Sequence, residues 1–141
     1  MTMDRAVLAE RVMAVERHLR RVADRLPSTP AALHPSNDAS DAVVLHLWQA
    51  TQVVFDLAMS TCLALRLGTP SSYADAFRRL ATAHVIDAVL AERLARAAGF
   101  RNVVAHAYES LDMVRVFAAA TNGPADLRAF LAKLSTLTVE P

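Results

Sequence analysis

Residues 39–67 read ASDAVVLHLWQATQVVFDLAMSTCLALRL. Wound as a helix, the stretch is apolar around most of its circumference. It holds no Gly or Pro and nowhere alternates apolar with polar at period two. It therefore predicts one long α-helix at the centre of an all-α fold. A run this apolar raises the question of a membrane span, but His46, Gln49, Gln52, Asp56 and Arg66 interrupt it. A bilayer core rarely accepts so many polar groups, so no membrane association is expected and the segment reads as a buried helix of a soluble protein. Its polar residues are not scattered. His46, Gln49, Gln52, Asp56 and Ser60 recur at helical spacing and form one stripe. A buried polar stripe must be satisfied by something. Either it is a core hydrogen-bond network or wet edge, or it is the wall of a cleft or subunit interface.

Outward from this segment the punctuation is clear. Gly68, Gly99 and Gly123, with Pro27, Pro30, Pro35, Pro70, Pro124 and Pro141, divide the chain into segments with helical spacing. Upstream, Leu8, Val12, Val15, Leu19, Val22 and Leu26 make one apolar stripe and predict a helix over residues 4–26. Arg5, Arg11, Arg17, Arg20, Arg21 and Arg25 lie mostly outside that stripe; they read as a solvated face, with a phosphate-contacting surface as the alternative. Residues 27–38 read as a loop. Downstream, Gly68-Thr-Pro70 breaks the chain, and Ser72 with Asp75 resembles a capping box ahead of Tyr73, Phe77 and Leu80. The spacing then predicts a helix over 84–98, closed by Gly99 in a left-handed cap with Phe100 as its apolar contact. Another helix is expected over 101–121. Gly123-Pro124 would open a last one with Leu127, Phe130, Leu131, Leu134 and Leu137 inside. The expectation is a single domain over 1–141, an antiparallel bundle of five to six helices.

Composition narrows the function. Of 141 residues, 54% are hydrophobic and 21% charged, which excludes disorder. One cysteine, Cys62, can form neither an internal disulfide nor an all-cysteine metal site, and no secretory signal is visible, so a cytoplasmic setting is expected. Cys62 also has no neighbouring base and lies in a helix that reads as buried, which argues against a nucleophile. Fifteen Lys+Arg against 14 Asp+Glu leave a formal charge of +1, so a broadly basic surface that coats nucleic acid is not expected.

The stretch that carries chemistry is residues 101–112, RNVVAHAYESLD. With Arg101 at zero on a helical wheel, Tyr108 falls near roughly −20°, Asp112 near 20°, Ala105 near 40°, Glu109 near 80°, Asn102 near 100° and His106 near 140°, while Val103, Val104, Ala107 and Leu111 take the opposite side. Arg can hold phosphoryl oxygens bidentately and neutralise charge that develops in a transition state. Arg101 is also expected at a helix start, where free N–H groups favour an anion. His titrates near neutrality and can move protons to or from ribose oxygens. Together these suit a phosphodiester. Because Arg101 and His106 diverge by about 140° on one helix, a site shared across a two-fold dimer would be denser than either copy alone. An exposed Arg–His pair is also compatible with ordinary polar surface. His18, His34, His46 and His84 show no close ligand spacing, and positions 102 and 110, where a partner for His106 would stand, are Asn and Ser, so no metal is expected. No Gly-rich phosphate loop is present.

Arg101-x4-His106-x-Tyr108, with Asn102 after the Arg, resembles the signature of the HepT-like branch of the HEPN superfamily. The flanks agree: YADAFRRL at 73–80, VIDAVL at 85–90, AGFRN at 98–102, Leu111-Asp112, and QVVFD at 52–56. The likeness covers most of the chain from about residue 40 onward. It implies a small all-α homodimer with two motifs in one cleft, acting without cofactor or metal as the RNA-cleaving toxin of a prokaryotic type VII-like toxin–antitoxin pair. It implies a minimal nucleotidyltransferase antitoxin that silences the toxin by transferring AMP from ATP to the motif tyrosine. Carried over, Arg101 and His106 are catalytic, Asn102 supports them, Tyr108 accepts AMP, and Asp56 is a further supporting residue. The alternative is a catalytically inactive binding partner of the nucleotidyltransferase with the same fold; a plain structural helical dimer is a third reading. The near-neutral charge then points to a focused phosphate site, switched off by added negative charge.

Overall fold

A computed structural model describes residues 4–137, and the side chains of Ala105, His106, Ala107 and Glu109 lie outside the described residues. The order is α1 (Arg5–Arg25), a 3-10 turn (Pro30–Ala32), α2 (Asp38–Ala64), α3 (Tyr73–Thr82), α4 (Ala88–Ala107), a second 3-10 turn (Tyr108–Ser110) and α5 (Met113–Ser135). Among the described residues there are five α-helices and no strands, as the periodicity predicts.

Each helix begins on a side chain that supplies the acceptor its first N–H groups lack. Asp4 Oδ1 accepts from the N–H of Ala6 at 2.7 Å, Ser72 Oγ from Asp75 at 3.0 Å, Asp87 Oδ1 from Leu90 at 2.7 Å and Asp112 Oδ1 from Val114 at 2.9 Å. At α2 the cap is reciprocal: the Ser40 N–H donates to Asn37 Oδ1 at 2.8 Å, and the Asn37 N–H donates to Ser40 Oγ at 3.1 Å.

Helix α2 packs against all four others. It is long and apolar enough to cross a membrane by length and composition, yet half of its most apolar window is buried inside the bundle. Leu8, Val15, Leu19 and Val22 of α1 lie against it in the core. Val7 and Arg11 border the same pocket as Leu57 and Ser60, while His18 meets His46, so α1 and α2 run antiparallel. The contacts Tyr73–Arg101 and Arg78–Glu92 set α3 antiparallel to α4 in the same way. Phe55, Phe77 and Phe130 cross the core edge to face at 5.3 and 5.4 Å, tying α2, α3 and α5 together. Tyr73 ends that column, 5.0 Å from the Phe55 ring, and carries it to the surface. Cys62 is fully buried; its thiol donates to the Ala76 carbonyl, and burial pushes its pKa up, as an inert core thiol requires.

Four expected boundaries are corrected. Helix α2 stops at Ala64 rather than residue 67, because Arg66 takes a left-handed φ of 59° and Leu67 N–H reaches back to the Cys62 carbonyl. His84 does not begin a helix; it is the left-handed residue (φ 63°) that closes α3, with Val85 N–H bonded to the Leu80 carbonyl. Gly99 does not end α4, which runs on through Arg101 to Ala107. A mid-helix Gly costs only about 1 kcal/mol, and Ala98 and Val104 on either side of it are buried in the core. Finally, Gly123-Pro124 lies inside α5. The buried residues Val116, Ala120, Leu127, Phe130, Leu131 and Leu134 stay in phase across it, within about 100° of one another at the helical pitch, so one helix buries one stripe. Lacking a Cβ, Gly123 relieves the clash that Pro imposes on a helical predecessor.

Candidate functional site

The polar stripe of α2 divides between two neighbours. His46 turns to α1, where its Nδ1 lies 3.0 Å from His18 Nδ1. Both imidazole pKa values are lowered, first by burial; Arg17 and Arg21 add to the effect at His18, and Arg21 and Arg25 at His46. Ser60 bonds locally, to the Asp56 carbonyl.

Gln52 and Asp56 turn to α3 and α4 and build the site. Gln52 Oε1 accepts from Arg101 Nε at 3.0 Å and from Nη2 at 2.7 Å. Gln52 Nε2 donates to Asp56 Oδ1 at 2.9 Å and to the Tyr73 hydroxyl at 3.1 Å. The carboxylate thus fixes which way the amide faces, and the amide fixes the guanidinium. The rings of Trp48 and Tyr73 hold the guanidinium carbon at 5.4 and 5.3 Å from their centroids. That is cation–π range on two sides. Asn102 Oδ1 accepts from Nη1 at 3.4 Å. Arg carries five N–H donors; among the described residues no further acceptor takes the remaining two, and no carboxylate pairs with Arg101. Its charge is therefore oriented by neutral groups and kept available. Beside it lies an open groove of about 760 Å³, walled by Asp56, Met59, Ser72, Tyr73, Gly99 and Asn102.

Arg101, Asn102 and Asp56 are thus brought together, with Gln52 joining the first to the last. The expectation that Arg101 opens a helix is corrected: it sits well inside α4, whose N-cap is Asp87, so no free helix N–H groups assist it. His106 stands on the last turn of α4, and its side chain lies outside the described residues, as do those of Ala105 and Glu109.

Tyr108 departs from the expected wheel. α4 ends at Ala107, and Tyr108 starts the 3-10 turn that leads to Asp112, the cap of α5. Its hydroxyl donates to Asp41 Oδ1 on the first turn of α2 at 2.8 Å. At 1.5 Å per residue, Asp41 and Gln52 are about 16 Å apart along the α2 axis. Tyr108 and Arg101 therefore rest on separate stations of one helix. A cavity of about 160 Å³ opens beside the Tyr108–Asp41 pair, bordered by Pro35, Ser36, Ser40 and Met113.

The sequence places Gln52 in the polar stripe of α2, as part of a core network or a cleft wall, but gives Trp48 and Tyr73 no role at the site. Trp48, Gln52 and Asp56 stand four residues apart on one face of α2, and that spacing was the available signal. Tyr73 left none, since only tertiary packing brings it over Arg101. Among the described residues no three His, Cys, Asp or Glu side chains gather as metal ligands.

A family model described as ribonuclease HepT-like matches residues 15–134. An mRNA nuclease HepT from Shewanella oneidensis is 32% identical over 73 residues, which are 52% of this chain and 55% of that protein. The chain thus spans about half the length of that relative in the match. A tri-AMPylated HEPN toxin of Shewanella oneidensis, solved in complex with MNT antitoxin, superposes with a TM-score of 0.83 at 21% identity, over 95% of this chain and 99% of that one. A toxin–antitoxin crystal structure with AMP-PNP gives 0.83 at 20% identity, over 93% and 98%. At these identities the structural likeness speaks for the fold.

Proposed function

This chain belongs to the ribonuclease HepT-like family, and on that premise we propose that it is the toxin of a type VII-like toxin–antitoxin pair, a metal-independent endoribonuclease silenced by AMP transfer to Tyr108. The observation that carries the reading is the Arg101 guanidinium. It is bonded by a neutral amide and clasped by two aromatic rings, with no carboxylate pairing it among the described residues. A structural arginine is ordinarily neutralised by an acid; one held ready by neutral groups suits an incoming phosphate.

In the proposed reaction the ribose 2′-oxygen attacks the adjacent phosphorus in line. His106 takes the 2′ proton as general base. Arg101 stabilises the extra negative charge on the phosphoryl oxygens. The bond to the 5′-oxygen breaks, and that oxygen leaves with a proton from the partner's His106. The products are a 2′,3′-cyclic phosphate and a 5′-hydroxyl. This division of labour requires a homodimer, with two Arg101–His106 pairs in one cleft. Asn102 and Asp56 support the site, Asn102 directly on Nη1 and Asp56 through Gln52.

The proposed partner is a minimal nucleotidyltransferase. The solved relative is AMPylated and bound to MNT antitoxin, which supports the same arrangement here. AMP added to Tyr108 adds bulk and negative charge to the face of α2 that also carries Arg101, and so opposes the approach of RNA phosphate. The test is expression in cells. Alone, the chain should arrest growth with loss of mRNA; with the cognate nucleotidyltransferase, growth should return and Tyr108 should gain one or more AMP masses. A chain that is harmless alone refutes the toxin reading.

A further inference from the structure

We infer that Asp41 is the proton acceptor for adenylylation of Tyr108, so that this chain supplies the base for its own inactivation. The inference rests on the reading of Tyr108 as AMP acceptor. A tyrosine hydroxyl has an ordinary pKa of about 10 and is a weak nucleophile near neutrality. It needs a group within hydrogen-bond reach to take its proton as the new bond forms. The Tyr108 hydroxyl already donates to Asp41 Oδ1 at 2.8 Å, across 67 residues of sequence. Both side chains are exposed, so a second protein can reach the oxygen. The adjoining cavity of about 160 Å³ leaves room for a phosphoryl group to approach the pair.

The step balances with a nucleoside triphosphate delivered by the transferase. The Tyr108 oxygen forms a bond to the α-phosphorus while the bond from that phosphorus to the β-bridging oxygen breaks. Pyrophosphate leaves with the bond's electron pair, and the phenolic proton passes to Asp41. After transfer the phenolic oxygen has no proton to donate, and its phosphate is negative. The Asp41 carboxylate, once it has lost its proton to water, then repels the product it helped to form. Modified Tyr108 cannot donate that hydrogen bond to Asp41 again.

The decisive variant is Asp41→Asn, which keeps a hydrogen-bond acceptor and the docking of Tyr108 but removes the base. The full chain is incubated with its cognate nucleotidyltransferase, Mg²⁺ and ATP, and the initial rate of AMP incorporation at Tyr108 is followed by mass spectrometry from pH 6.5 to 9.5. The expected result is a loss of about 100-fold at pH 7, shrinking as the pH rises toward tyrosine ionisation, with substantial recovery in Asp41→Glu. Wild-type rates and an unchanged pH profile in Asp41→Asn overturn the inference while leaving Tyr108 as acceptor. Absence of AMP on wild-type Tyr108 overturns the reading beneath it.

Discussion

Gln52 accepts two hydrogen bonds from Arg101 across 49 residues of sequence, and it does so while its own amide is locked by Asp56. The guanidinium is thereby positioned by a chain of neutral and acidic groups in which the acid never touches it.

Gln52→Leu removes the acceptor and leaves Arg101 to swing between the two rings. Misplacement by about 1 Å can cost a factor of about 100 in turnover. Single-turnover RNA cleavage should fall by about that factor, with helical circular dichroism unchanged. Turnover at the wild-type rate would show that Gln52 does not position Arg101.

Tyr73 contributes a face to Arg101 and a hydroxyl to Gln52, and the two are separable. Tyr73→Phe keeps the ring against Phe55 and Arg101 and loses hydrogen bonds worth about 0.5–1.5 kcal/mol each. Tyr73→Ala also loses the cation–π face. Cleavage should therefore drop by about 2- to 13-fold for each such bond lost in the first variant, at about 1.4 kcal/mol per factor of ten, and clearly further in the second.

The two mid-helix glycines should respond differently to substitution. A Cβ at Gly99 meets nothing within 4 Å, so Gly99→Ala should raise stability by about 0.5–1 kcal/mol in denaturant melts. A Cβ at Gly123 is also unhindered by distant atoms, but it precedes Pro124 in a helix. Gly123→Ala should bring no gain. Because Gly99 walls the groove beside Arg101, its substitution should also weaken RNA binding.

Acid should loosen the α1–α2 seam. The folded pKa values of His18 and His46 are lowered, chiefly by burial, from a reference of 6.5. A histidine lowered on folding resists protonation in the native state, so the unfolded chain binds more protons as pH falls. The pair's contribution is complete above pH 6.5 and is lost below it, as pH drops toward the depressed values. Urea midpoints measured from pH 7.5 to 5 should decline, and the decline should be shallower in the His18→Gln, His46→Gln double variant.

Periodicity made most of the bundle legible. The α1 stripe, the central place of α2 and the Ser72 cap all follow from spacing and side-chain chemistry. Breaker residues misled where packing outweighed them: Gly99 and Pro124 lie inside helices because a continuous buried face on both sides exceeds their local cost. The residues that do stop helices, Arg66 and His84, hold left-handed angles that glycine usually takes, so nothing in their identity announces a cap. In the site, Arg101, Asn102 and Asp56 could be picked out along the chain. The clasp by Trp48 and Tyr73 and the bond from Tyr108 to Asp41 could not, because both join residues far apart in sequence.

The central claim is RNA cleavage by Arg101 and His106, and the direct measurement is cleavage by purified, unmodified protein in EDTA. The account predicts fragments ending in 2′,3′-cyclic phosphate, with activity lost in both Arg101→Ala and His106→Ala. Cleavage that survives either substitution, or that EDTA abolishes, would contradict it.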